Sequence, residues 1–267
     1  MLPEVQKLSE WRWARLALAV HRRASVDGVG TLAPAVTHAA FLSLFPMLLL
    51  ALSVVGFLLD GHPDRVREWV HAITGTIPGL GDVVGRNLKA AVDGRVATGL
   101  VGLAGAVWAG SGLANALQHA LGVVFRSKGG GAVRRRLRAL AIMGCLGVAG
   151  IASIAITSAA VGVQWLGVVL GVALDLGFFL LAYRYLTPGK GSTFRDHLPG
   201  AVVMAAAWTA LKVAGSWYAV RVVGRATALY GTVGAVFGLL AILSLATRAF
   251  LYGAELSAAL SEEDPAR

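Results

Sequence analysis

Six long apolar stretches, at roughly 34–59, 97–124, 139–163, 164–186, 198–220 and 229–257, leave this chain little to fold into except helices in lipid. Each is near or above the about 20 apolar residues that carry a helix across a ~30 Å hydrocarbon core. No water reaches the backbone there, so a spanning segment must satisfy its own N–H and C=O groups, as a helix does. Composition agrees. The 267 residues are 57% hydrophobic and 14% charged, where a soluble domain carries about 25% charged residues. Apolar blocks of this length cannot all fold away into one small soluble core.

A formal charge of +10 admits nucleic acid as a partner. The positive charges, however, gather in short segments between the apolar blocks, the pattern of cytoplasmic loops facing anionic lipid. Membrane lipids are therefore the expected partner, and nucleic acid is not. Cys145 is the single cysteine, which rules out an intrachain disulfide or a multi-cysteine metal site. Residues 1–30 interleave Lys7, Arg12, Arg15, Arg22 and Arg23 with Leu8, Trp11, Trp13 and Leu16. They read as a basic helix lying along the bilayer surface, with no cleavable leader, because no uninterrupted apolar run precedes a cleavage site. The first spanning helix then serves as the insertion signal.

The expected organisation is this interfacial segment, a six-helix transmembrane domain over 31–260, and a short acidic tail at 261–267. Pro34 suits the first turn of the first spanning helix. Pro46 lies inside that span and removes the backbone bond to residue 42, predicting a kink at 42–46 that Ser43 helps to satisfy. The one long loop, 60–96, carries Val66, Trp69, Val70 and Ile73, then Leu80, Val83, Val84, Leu88 and Ala91, both at helical spacing. Two short amphipathic helices on the membrane face are expected there. The loops 125–138 and 184–197 and the N-terminal tail hold 14 of the 24 Lys and Arg residues. With six spans these three segments share one side, which places both termini in the cytoplasm and the 60–96 loop outside.

Ionisable and amide groups inside the spans are the informative ones, because each is costly in hydrocarbon. They are His38, Asn115, His119, Asp175, Lys212, Arg248 and Glu255, with Gln118 beside them. Counting ~1.5 Å per residue from the inner helix ends puts Arg248 about 12 Å deep, Asp175 about 16 Å and Lys212 about 21 Å. These residues are expected to line a polar cavity open to the cytoplasm. Arg248 is the nearest cation to Asp175 by depth and Lys212 the next; the bland alternative is an ion pair that only ties two helices together. Asn115 and His119 share a helix face, which serves a cavity or a bond to a neighbouring helix. His38 and His119 lack further ligands for a metal, so no metal site is expected. There is no HExxH, GxSxG or GxxxxGK[ST], and hence no sign of an enzyme.

The segments FLSLFP at 41–46, ALYGTVGAVFGLL at 228–240 and YGAELSAAL at 252–260, in that order, resemble the YihY/BrkB family of bacterial inner-membrane proteins. This chain differs from the family pattern in placing His38 five residues before Ser43 and Arg248 in its last helix. The resemblance covers about residues 20–260. It implies an all-α bundle of six transmembrane helices, multi-pass in the inner membrane, without a cofactor. The family's older label, ribonuclease BN, finds no supporting residues here. Family members have been proposed as transporters of lipid or envelope components and as cation/proton antiporters. The leading expectation is a transporter or export component for a lipid-like molecule. Arg134, Arg135, Arg136 and Arg138 inside, with Arg221 and Arg225 outside, would attract its phosphate. An antiporter using Asp175 and a non-transporting envelope scaffold are the alternatives. No signal for an oligomeric state is evident.

Overall fold

A computed structural model describes residues 12–58, 95–127, 164–187, 193–221 and 228–263, and every regular element among these is an α-helix. In chain order they are α1 (Arg12–Val26), α2 (Val29–Leu58), α3 (Arg95–Val124), α4 (Gln164–Leu186), α5 (Phe194–Arg221) and α6 (Ala228–Glu263). Five carry stretches long and apolar enough to cross a membrane: Val29–Leu50, Gly99–Val124, Val169–Leu186, Phe194–Gly215 and Val236–Glu262. Large apolar side chains such as Trp108, Val213 and Phe237 face outward on them, as lipid-facing surfaces require. The expected span at 139–163, the loop 60–94, Arg134, Arg135, Arg136, Arg138, Arg225 and the last four residues lie outside the described residues.

Helix ends depart from the sequence expectation where local chemistry overrides hydropathy. The first spanning helix begins at Val29, not Pro34. Gly28, at φ 72°, turns the chain between α1 and α2, and its carbonyl accepts from the Thr31 and Leu32 N–H groups to start the new helix. Glycine is suited to that left-handed position because a Cβ is penalised there. Pro34 therefore sits past the first turn. Helix α2 continues through Pro46 to Leu58, and the Ser43 hydroxyl donates to the Ala40 carbonyl at 2.7 Å, not to the carbonyl at 42. Helix α5 starts at Phe194, inside what reads as a basic loop. The cause is a capping arrangement: the Asp196 carboxylate accepts from the Thr193 N–H at 2.6 Å, and an acid in the first turn suits the helix dipole. Helix α6 runs to Glu263 because no breaker precedes Pro265.

The described residues fall into two compact units. The first draws on residues within 1–38, 114–215 and 240–267, the second on residues within 39–113 and 216–239. In the second, Gly102 and Gly105 of α3 form a notch for α2. A Cβ at Gly102 would stand 2.8 Å from the Leu50 nitrogen, and one at Gly105 3.0 Å from Pro46 Cβ. Small residues at such positions let helices touch where lipid supplies no hydrophobic drive.

In the first unit the tightest contact joins α5 to α6. A Cβ at Gly200 would overlap the Gly253 carbonyl and stand 2.5 Å from Ser257 Oγ; one at Gly253 would stand 2.6 Å from Tyr183 Oη. The Gly200 N–H donates to Ser257 Oγ at 2.9 Å across the crossing. Tyr183 of α4, fully buried, donates to the Phe250 carbonyl at 2.6 Å and stacks on the Phe250 ring at 4.5 Å. Since overpacking costs typically about 1–3 kcal/mol, Gly200→Ala and Gly253→Ala should each lower the unfolding midpoint of the detergent-solubilised protein by several degrees. Gly112→Ala, with nothing within 4 Å of the new methyl, should leave it unchanged.

Candidate functional site

Two polar centres stand out in the first unit. One is the pair formed by Asp175 of α4 and Lys212 of α5, with Lys212 Nζ donating to Asp175 Oδ2 at 2.5 Å. Its side chains are 20% exposed for Asp175 and 47% for Lys212. Both residues lie within spanning segments, where an isolated charge is expensive and a partner offsets the cost. Depth counting favours Arg248 as that partner, and the structure brings Lys212 instead. Arg248 is exposed on α6 and makes no ion pair among the described residues. Depth along a helix does not report the face on which a residue lies, and the face decides this pairing.

The second centre gathers around Glu255, which is completely buried in α6. Arg23 of α1 donates through Nε to Glu255 Oε2 at 3.3 Å and through Nη1 to Glu262. Arg126 approaches Glu262 from the end of α3 at 3.6 Å. Asp27, in the turn after α1, has a buried oxygen, Oδ2, without a hydrogen-bond partner among the described residues, as have Glu255 at Oε1 and Arg23 at Nη2. Burial works against the Arg23 charge, but the hydrogen bonds and charges of Glu262 and Glu255 outweigh it and push its pKa up. The guanidinium is thus a permanent cation holding α1 to α6. Val20 and Ala24 bury the same side of α1, while Arg15, Leu18 and Arg22 stay exposed.

Arg126 is held in the left-handed region, at φ 48°. It ends α3 in a Schellman turn, with the Ser127 N–H reaching the Gly122 carbonyl and the Arg126 N–H the Val123 carbonyl. Glycine is usual there; arginine puts a cation beside Glu262 at the cost of backbone strain. Between Asp175 and Lys212 in sequence lies His197, fully buried, edge-on to Phe125 at 5.0 Å and stacked on Tyr183 at 6.4 Å. Neither of its ring nitrogens has a hydrogen-bond partner among the described residues.

Of the residues expected to share a cavity, Asp175 meets Lys212, and Glu255 meets Arg23, a residue read from sequence as an interfacial cation. Asn115 and His119 share a face of α3, as their spacing requires, and both are exposed, with Ala114, Gln118 and Leu121 buried opposite. His38 is exposed on α2. Among the described residues no group of three or more His, Cys, Asp or Glu could hold a metal ion. Sequence reasoning passes over Asp27, Tyr183 and His197, and reads Arg23 only as an interfacial cation. The Asp27-Gly28 dipeptide, a turn signal, and the Thr193-x-x-Asp196 cap are the clues that locate two of these.

Replacing Arg23 with Met should cost about 2 kcal/mol, the scale of hydrogen bonds to a charged group. It should also strip α1 amides of hydrogen-exchange protection; unchanged protection would show that Arg23 does not dock α1. For Arg126→Gly the balance favours a gain. A left-handed non-glycine residue costs about 1–2 kcal/mol, and an exposed ion pair returns about 0–1 kcal/mol. Chemical denaturation should show the variant equal to or more stable than the parent.

The Virulence factor BrkB family matches residues 20–267. An uncharacterized protein of Dickeya dadantii (strain 3937) is 32% identical over 89 residues, covering 33% of this chain and 27% of that protein. The inner membrane protein YhjD of Escherichia coli (strain K12) is 33% identical over 89 residues, covering 33% of this chain and 26% of YhjD. The matched segment thus spans about a quarter of the length of these curated relatives. No solved structure matches. With a family match over nearly all of its length and several helices able to cross a bilayer, the chain is a membrane protein and belongs to the Virulence factor BrkB family.

Proposed function

We propose that the protein is a multi-pass transporter or export component of the bacterial inner membrane, with six spans and cytoplasmic termini, that moves a lipid-like or envelope molecule. The observation that carries this reading is the Asp175–Lys212 pair. Its ammonium is half exposed, and Val172 and Phe178, exposed at i−3 and i+3 from Asp175, extend an apolar surface along the same side of α4. Charge beside apolar surface within the spans suits a molecule with a charged head and acyl tails. A pair that only ties helices together would face the bundle interior, away from acyl chains. The arginine run at 134–138 would collect anionic headgroups at the membrane face.

The test is translocation of a fluorescent phospholipid by the full chain in reconstituted vesicles. Wild type should exceed empty vesicles, and Lys212→Gln should slow it about tenfold, the effect of losing about 1.4 kcal/mol. No translocation by wild type would remove the lipid reading. Translocation untouched by Lys212→Gln would remove the pair from it. If lipid stays still while cation-driven proton flux runs in wild type and stops in Asp175→Asn, the antiporter reading takes its place.

A further inference from the structure

An arginine stands where the spanning stretch of α4 ends and that of α5 begins. The Arg184 guanidinium lies over the ring of Tyr185 and over the ring of Phe194 on α5, its Cζ 5.8 Å from each centroid. Both distances are within reach of the attraction between a cation and a ring face. The stretches Val169–Leu186 and Phe194–Gly215 place all three residues at span ends, the depth at which aromatic and cationic anchors meet headgroups. Among the described residues no carboxylate pairs with Arg184. Asp196, the acid in the first turn of α5, accepts from the Thr193 N–H. Arg195 beside it is a second, exposed cation. A guanidinium that meets rings through its faces keeps its in-plane N–H donors for an oxygen ligand, and a phosphate matches that fork.

Two apolar stripes lead from this point into the spans. On α4, Tyr185, Leu181 and Phe178 are exposed at steps of four and three residues; on α5, Phe194, Leu198 and Val202 are exposed at steps of four. We propose that Arg184, Tyr185 and Phe194 form a headgroup site for one anionic phospholipid, whose acyl chains lie along these stripes. A lipid fits better than a soluble phosphate, because the cation stands where apolar surface begins and continues for about 10–12 Å along each helix. Charge selects the headgroup. An unpaired guanidinium with Arg195 nearby attracts a net negative head, whereas a choline head would add a third cation. Asp175 lies three residues before Phe178, about 14 Å from Arg184 along α4. Delivery of the headgroup from this site toward Asp175–Lys212 rests on the transport reading; the binding itself does not.

The experiment titrates a fluorescent phosphatidylglycerol into the full chain in detergent micelles and adds competitors at equilibrium. Unlabelled phosphatidylglycerol should displace the probe, and phosphatidylcholine with the same acyl chains should need about tenfold more. Arg184→Gln should weaken binding about tenfold, and Phe194→Ala about threefold, the scale of one cation–ring contact. Arg15→Gln, which removes an exposed cation elsewhere in the first unit, and Lys212→Gln should both leave binding unchanged. An equal loss in Arg15→Gln would reduce the effect to overall charge and overturn the site. So would phosphatidylcholine that competes as well as phosphatidylglycerol, or glycerol phosphate that competes as well as the lipid. Should Arg184→Gln fail to fold, Phe194→Ala and the competitors decide the matter, and binding untouched by Phe194→Ala then overturns the proposal. Binding is read without translocation. A wild-type chain that binds in this way but moves no lipid loses the transport reading and keeps this site.

Discussion

Helix α5 crosses α6 with backbone against backbone, and most of the first unit is arranged around that contact. Lipid tails are as apolar as leucine, so helices in a bilayer gain little by hiding apolar surface from them and rely on close packing and hydrogen bonds. Gly200 and Gly253 remove the side chains that would hold the axes apart. Once the backbones are close, Ser257 accepts the Gly200 N–H, and Tyr183 reaches the Phe250 carbonyl through the space that Gly253 leaves. His197 and Phe250 then close on the Tyr183 ring. Each of these contacts requires the approach that the two glycines permit.

Polar side chains in the spans are handled in two ways. Thr37, Ser43, Ser111, Thr209 and Ser261 donate to carbonyls three or four residues earlier in their own chain segment. Such back-bonding satisfies a hydroxyl without a partner helix. Ionisable groups cannot do this, and two carboxylates of the spans meet cations across helices: Asp175 with Lys212, and Glu255 with Arg23. The second grouping gives α1 a docked position on the protein, with its outward side still basic and apolar enough to lie at a membrane surface.

Much of the site was legible residue by residue, and little of it pair by pair. Hydropathy picked out Asp175, Lys212 and Glu255 because a charge in an apolar run is conspicuous wherever it points. It named Arg248 ahead of Lys212 because axial depth was the only coordinate available, and a rotation of a quarter turn changes a neighbour without changing depth. Arg23 looked like one more interfacial cation. Its role depends on Gly28, which turns α1 back so that Arg23 meets a carboxylate more than 200 residues away in the chain. His197 was hidden in an apparently basic loop, because the cap at Thr193 and Asp196 extends α5 over residues whose hydropathy is unremarkable.

The order of apolar residues alone determined that this is a membrane protein whose spans are helices, since uninterrupted apolar runs of about 20 residues have one stable form in hydrocarbon. It also determined which glycines, prolines and charges were available, and the three motifs by which the family is recognised. Tertiary structure decided which glycines are contacts and which are bystanders, which cation answers each carboxylate, and that the N-terminal helix is clasped to the last one. Those outcomes depend on helix rotation and on the direction in which a turn sends the chain. Both follow from steric fit between distant segments, which a linear order of residues does not contain.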